Sequence, residues 1–150
     1  MPILFDTNIL VQLSRRASAK VLAVVNPRKQ DSFISIVTVG EIRSLAFQNG
    51  WGSAKFGAME AYLSQTVAID INYGQVLSNY VAIDTYSQRR HPTLVPDFKT
   101  PRNMGKNDLW IAATAMSFDL ELVTTDDDFD HLDGTMLSVR KIEPARFIGL

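Results

Sequence analysis

The sequence contains no cysteine. That single absence removes disulfides, thiolate metal sites and a cysteine nucleophile, and it suits a cytoplasmic protein. Histidine is almost as scarce: His91 and His131 are the only two, and both are expected at the surface rather than as metal ligands. No apolar run approaches the roughly 18 residues of a membrane span, and no basic segment leads into a long apolar one at the amino terminus. Neither a membrane helix nor a signal peptide is therefore expected. Internal repeats and low-complexity tracts are absent as well.

What is present is a chain of 150 residues, 46% of them hydrophobic. That length fits one domain spanning residues 1–150, and the apolar content is enough to build a core that offsets the entropy lost on folding. Lys and Arg number 15 and Asp and Glu 16, yet the charge is unevenly spread. Seven acids fall between residues 119 and 133, so the remainder of the chain carries 15 cations against nine acids. A near-neutral protein of this kind can still present a positive surface to a polyanion.

Apolar and turn patterns alternate along the chain. "ILF" at 3–5 reads as a short buried strand, and "TNILVQL" then switches to helical spacing. "SFISIV" at 32–37 is β-branched and aromatic, hence a second strand, and Thr38 is expected to cap the helix through "VGEIRSLAFQN". A further helix is expected over 53–65 and a strand over 66–70, with Asp70 capping the helix through "YGQVLSNYVAIDTYSQ". Residues 91–106 hold three prolines and one glycine and form the longest loop. "NDLWIAATAMSF" is a helix with Asn107 as its cap and Asp108 in its first turn, apolar on nearly every side and so deeply buried. "LELVTT" and "MLSVRKI" complete the strands. Strands alternating with helices indicate an α/β fold with a mainly parallel, roughly five-stranded sheet.

Four acids stand at the junctions of these elements. Asp6 and Asp126 each follow a strand, Asp108 opens a helix, and Glu41 is expected in the first turn of the helix after the second strand. In a parallel sheet all four belong near the carboxyl edge, where ligands bind. Each has a structural alternative: Asp6 and Asp108 suit helix starts, Glu41 a helix surface, and Asp126 a solvated turn. Their coincidence carries more weight than any one of them. Carboxylates gathered without a cation repel, so some would hold protons at pH 7. Mg²⁺ or Mn²⁺ takes hard oxygen ligands and would relieve that repulsion. Such a centre activates water and stabilises a leaving oxygen, which is the chemistry of phosphodiester hydrolysis.

The ordered set "FDTN", "VGEIR", "NDLWIAATA" and "LVTTDDDF" resembles the PIN-domain ribonucleases, most closely the VapC-type toxins of bacterial toxin–antitoxin pairs. The resemblance spans nearly the whole chain. It implies a three-layer α/β/α sandwich, an endoribonuclease dependent on Mg²⁺ or Mn²⁺, a homodimer, and a small VapB-type antitoxin that inserts a segment into the site. Asp6, Glu41, Asp108 and Asp126 match the family's acidic positions, as catalytic residues and metal ligands. Thr7 and Asn8 match the small polar residues beside the first Asp, Thr124 a supporting hydroxyl, and Asp128 the end of the last motif. Among the three adjacent acids Asp126 ranks first, because the family's acid follows Thr-x and this chain reads Thr124-Thr125-Asp126; whether Asp127 or Asp128 joins the site stays open.

RNA, whether tRNA or mRNA, would need cations near the acids, since phosphate neutralisation dominates its affinity. Arg89, Arg90, Lys99, Arg102 and Lys106 flank or lie in the loop that leads to Asp108. Trp51 and Trp110 are expected to pack rather than to stack on bases. Two alternatives are weighed against the ribonuclease reading. A haloacid-dehalogenase-like phosphatase also begins with an Asp after its first strand, but it needs a second Asp two positions later, where this chain has Asn8. A catalytically inactive PIN-fold module that only binds a protein partner would not require all four acidic positions to be filled.

Overall fold

A computed structural model describes residues 1–150. Five strands, β1 (Ile3–Phe5), β2 (Ser32–Ser35), β3 (Val67–Ile69), β4 (Glu121–Thr124) and β5 (Val139–Lys141), form one sheet in the order β3-β2-β1-β4-β5. Every pairing is parallel. Central β1 is buried on both faces, with Ile3, Leu4 and Phe5 each fully enclosed. This explains its unbroken apolar run, because a parallel strand covered by helices on both sides has no polar face. Each such side chain contributes about 1.5–3 kcal/mol by leaving water.

Six helices cover the sheet: α1 (Thr7–Arg15), α2 (Ser18–Val25), α3 (Ile36–Gln48), α4 (Ser53–Gln65), α5 (Gly74–Ser87) and α6 (Lys106–Ser117). Side chains alternate across a strand, so Leu4 and Leu122 meet Val76, Ile83, Ile111 and Ala112 of α5 and α6. From the opposite face, Ile3, Phe5 and Val123 meet Ile9, Leu13, Val21, Ile42 and Met59 of α1 to α4. The result is the three-layer α/β/α arrangement. Short 3₁₀ turns at Asp127–Leu132 and Pro144–Phe147 complete the regular structure.

Several boundaries differ from the sequence expectation. The second strand stops at Ser35, not at residue 37, because the Ser35 hydroxyl accepts the Val37 N–H at 3.1 Å and starts α3 there. Ser35 rather than Thr38 is thus the cap, and Glu41 falls in the second turn of α3 instead of the first. Asp70 does not cap α5; its carboxylate accepts from the Asn72 N–H in a local turn, and Tyr73 precedes the helix. At α6 the cap lies two residues earlier than expected, at Gly105, so the helix starts at Lys106 and Asn107 is inside the first turn. α2 was not anticipated from the pattern at all; its eight residues bury only Val21 and Val25.

The strand order places a reversal between β1 and β4. From β1 the chain proceeds outward through β2 to β3, whereas β4 and β5 lie on the other side. A crevice opens outside the carboxyl ends of two strands where the order reverses. Asp6 follows β1 directly and Asp126 lies two residues beyond β4, so both acids stand at that crevice.

Candidate active site

Asp6 is 3% exposed and fully engaged. Its Oδ1 accepts the Thr7 N–H at 2.8 Å, and its Oδ2 accepts the Thr124 hydroxyl at 2.7 Å. The same Thr124 oxygen accepts the Asp126 N–H at 3.0 Å, so one hydroxyl links the acids that follow β1 and β4. Asn8 adds a second tie, its Oδ1 accepting the Thr125 N–H at 3.3 Å. Thr7 donates to the buried Thr38 at 3.3 Å, which joins α1 to α3. Thr7, Asn8 and Thr124 therefore hold strand ends together, and the hydroxyl of Thr124 serves both Asp6 and Asp126.

The other acids come from helices. Asp108 sits in the first turn of α6, where the exposed N–H groups favour a carboxylate. Glu41 reaches across from α3, and its Oε2 accepts the Asn107 side-chain amide at 2.8 Å. Asp6, Glu41, Asp108 and Asp126 line one cleft of about 300 Å³ together with Thr7, Asn8, Val11 and Leu45. Oxygens of Asp108, Asp126 and Asp128 lie within 4.8 Å of one another. Asp128 thus stands closer to the centre of charge than its supporting position in the motif implied. Its N–H donates to Asp126 Oδ1 at 3.0 Å. Asp127 turns away: it is ion-paired at 2.8 Å with Lys141, which also holds Asp130 at 2.9 Å.

No ion pair neutralises Asp6, Glu41, Asp108, Asp126 or the exposed Asp128. Burial pushes Asp6 up to about 6; hydrogen bonds from Thr124 and Thr7 oppose the rise, and the charges of Glu41 and Asp126 add to it. Asp108 is pushed up to about 7, first by burial and then by Asp6, Asp126, Glu41 and Asp128. Asp128 is raised by burial and by Asp126 and Asp127. A cluster of hard oxygen donors without a protein cation, in which Asp6, Asp108 and Asp128 resist ionisation, fits a divalent ion.

Among the cations of the long loop, Arg89, Arg90, Lys99, Arg102 and Lys106 are all exposed and enter no ion pair. Lys106 opens α6, two residues before Asp108, and Arg102 lines a cavity that includes Asp128. The structure does not bring Arg89, Arg90, Lys99 or Lys106 into the lining of either pocket. His131 departs from its expected surface position: it is half-buried, with Nε2 2.8 Å from the hydroxyl of buried Ser87. Burial and Arg102 lower its pKa, against Asp130. Trp110 packs on Tyr80 with ring centroids 4.3 Å apart, and Lys55 covers Trp51 at 3.7 Å. Sequence reasoning missed Asn107 as the residue that orients Glu41, and Lys141 as the cation that withdraws Asp127. A contact between residues 66 apart leaves no local signal.

A family model described as the PIN domain matches residues 3–135. No curated protein matches the chain by sequence. Among solved structures, VapBC2 from Rickettsia felis bound to a promoter DNA fragment superposes with a TM-score of 0.73 at 19% identity, covering 94% of this chain and 98% of that one. DNA-bound VapBC from Salmonella typhimurium gives 0.70 at 18% identity, with the same coverage of 94% and 98%. FitAcB from Neisseria gonorrhoeae gives 0.63 at 23% identity, covering 91% of this chain and 95% of that one. At these identities the likeness is one of fold.

Proposed function

The chain belongs to the PIN-domain family, and from that premise we propose that it is a metal-dependent endoribonuclease, the VapC-type toxin of a toxin–antitoxin pair. One observation carries the reading: Asp6, Glu41, Asp108 and Asp126, drawn from four separate elements, line a single cleft at the sheet reversal. Burial, and after it the neighbouring carboxylates, pushes Asp6 and Asp108 up to about 6 and 7, a perturbation that a solvated surface would not produce.

In this reading the four acids hold Mg²⁺ or Mn²⁺, with Asp128 in support. The bound ion supplies a water nucleophile at neutral pH and charge stabilisation for the leaving oxygen of the phosphodiester. Thr124 keeps the Asp6 and Asp126 carboxylates in register, and Asn107 aims Glu41. Lys106, at the start of α6 beside Asp108, and Arg102 draw the RNA backbone towards the cleft, with Arg89, Arg90 and Lys99 adding a more distant field.

A VapB-type antitoxin is the expected partner, supported by the VapBC complexes that share the fold. Homodimerisation is supported by Leu77 and Val81 on α5 and Tyr73 just before it, all exposed at four-residue spacing. No helix is long and apolar enough to cross a membrane; a cytoplasmic site of action belongs to the ribonuclease reading. The test is cleavage of RNA with and without chelator, comparing wild type with Asp6→Asn and Asp108→Asn. Loss of cleavage in all three perturbed reactions is expected. Variants as active as wild type would refute the metal site, and phosphatase activity without RNA cleavage would favour a phosphomonoesterase.

A further inference from the structure

A second cavity, of about 530 Å³, opens beside the carboxylates and has Asp128 in its wall. One side is the loop leading into α6, through Asp97, Phe98, Arg102 and Asn103; the other is formed by His131 and Lys141. That volume lies within the range of small-ligand sites, about 300–1,000 Å³. Only Phe98 and Met104 of its lining are apolar. A polar occupant is therefore required.

The lining is braced from behind. Phe98 is buried and meets the Tyr86 and His131 rings edge-on, with centroids 5.6 and 5.4 Å away. The Arg102 guanidinium lies 5.4 Å from the Phe98 ring centre and forms no ion pair, while its backbone N–H is held by the Ser87 carbonyl at 2.8 Å. Gln88 donates to Asn103 Oδ1 at 2.9 Å, which leaves the Asn103 NH₂ free to donate. Asp97 has no cationic partner.

Charge argues against a phosphate inside this cavity. Lys141 is committed to Asp127 and Asp130, so one free guanidinium faces the carboxylates of Asp97 and Asp128. A nucleobase carries no such penalty. Its amino and ring N–H groups donate to a carboxylate, its carbonyl or ring nitrogen accepts from an amide, and its face stacks on a guanidinium plane. We propose that this cavity holds one unstacked RNA base next to the cleavage position, its face on Arg102 and its edge between Asp97 and Asn103. The cavity then determines which base is tolerated there. This rests on the ribonuclease reading of the neighbouring acids.

The test separates the two. Binding of the four labelled homotrinucleotides of A, C, G and U is measured by fluorescence anisotropy at low salt with EDTA, and cut sites in a random RNA pool are sequenced with Mg²⁺. Wild type should favour one base by about fivefold or more. Arg102→Lys keeps the charge but loses the plane; it should bind the favoured trinucleotide about tenfold more weakly, a loss in line with removing one stacked base, with its salt dependence unchanged. Asn103→Ala should flatten the ratio between best and worst base, in binding and at the cut site alike. These side chains are exposed, and melting curves verify that the variants fold. Equal affinity for all four trinucleotides, or an Arg102→Lys variant that binds like wild type, would overturn the base site whatever the cleavage result. Base discrimination in a wild-type protein that cuts no RNA would support the base site and refute the nuclease reading.

Discussion

Replacing Asp6 with Asn should stabilise the metal-free protein at alkaline pH. In the folded chain Asp6 titrates near 6 against an ordinary value of 3.8, chiefly because it is buried. At about 1.4 kcal/mol per pH unit, ionised Asp6 costs the fold roughly 3 kcal/mol. The sign follows from linkage. Below about pH 4 the carboxyl is neutral in both folded and unfolded chains, and the substitution should change little. From about pH 4 to 6 the unfolded chain releases its proton while the folded chain retains it, so wild-type stability falls as pH rises. Above about pH 6 the loss is complete. Asn copies the protonated acid: its oxygen can accept the Thr7 N–H and its NH₂ can face the Thr124 oxygen, the two groups that now contact Asp6. In a domain of this size, 3 kcal/mol corresponds to a rise in melting temperature of about 6–12 °C. Thermal melts of both proteins in EDTA at pH 4, 6 and 8 measure it. Mn²⁺ at pH 8 should then reverse the order, because the ion stabilises the protein that keeps the carboxylate. A difference that does not change with pH, or a variant that melts below wild type at pH 8 in EDTA, would refute the burial account of Asp6.

Thr124→Val should cost about 1–3 kcal/mol at pH 8, since it strips a donor from Asp6 and an acceptor from the Asp126 N–H at a fully buried position; denaturant titration measures it, and Thr124→Ser should restore both stability and cleavage. Phe5→Ala removes a fully buried ring directly before Asp6 and should cost about 3–5 kcal/mol in the same assay. Leu77→Asp, at an exposed position in the middle of the α5 stripe, should leave the melting temperature within a few degrees and shift the mass measured by sedimentation from dimer to monomer; a dimer that persists would remove α5 from the interface. Mn²⁺ binding should release more protons at pH 6 than at pH 8, because Asp108 and Asp6 titrate near 7 and 6 and must give up their protons to ligate. Calorimetry in two buffers of different ionisation enthalpy reads that release.

Some elements were legible because their causes are local. β1 shows in three consecutive apolar residues, and α4 runs over residues 53–65 as its spacing predicted. Asp6, Asp108 and Asp126 stood out because each interrupts an apolar pattern at a strand end or helix start. Where two local causes competed, the sequence misled. Ile36 and Val37 favour a strand by type, but the Ser35 hydroxyl captures the Val37 N–H and turns the chain into α3. His131 looks like a surface residue in an acidic segment, yet Ser87, 44 positions earlier, draws it inward.

Sequence by itself determined the alternation of strands and helices, the boundaries of most of them to within a few residues, and the presence of acids at their junctions. Hydrophobic period and capping act over a few residues, so they are written in the order of the chain. Only the tertiary structure decided that β1 lies beside β4, and with it that the Thr124 hydroxyl reaches Asp6 across 118 residues of sequence. It also decided that Asp128 joins Asp108 and Asp126 while Asp127 pairs with Lys141. Adjacent acids are indistinguishable by composition. What separates them is the direction in which a 3₁₀ turn, fixed against the sheet by buried Phe129 and Leu132, points each carboxylate.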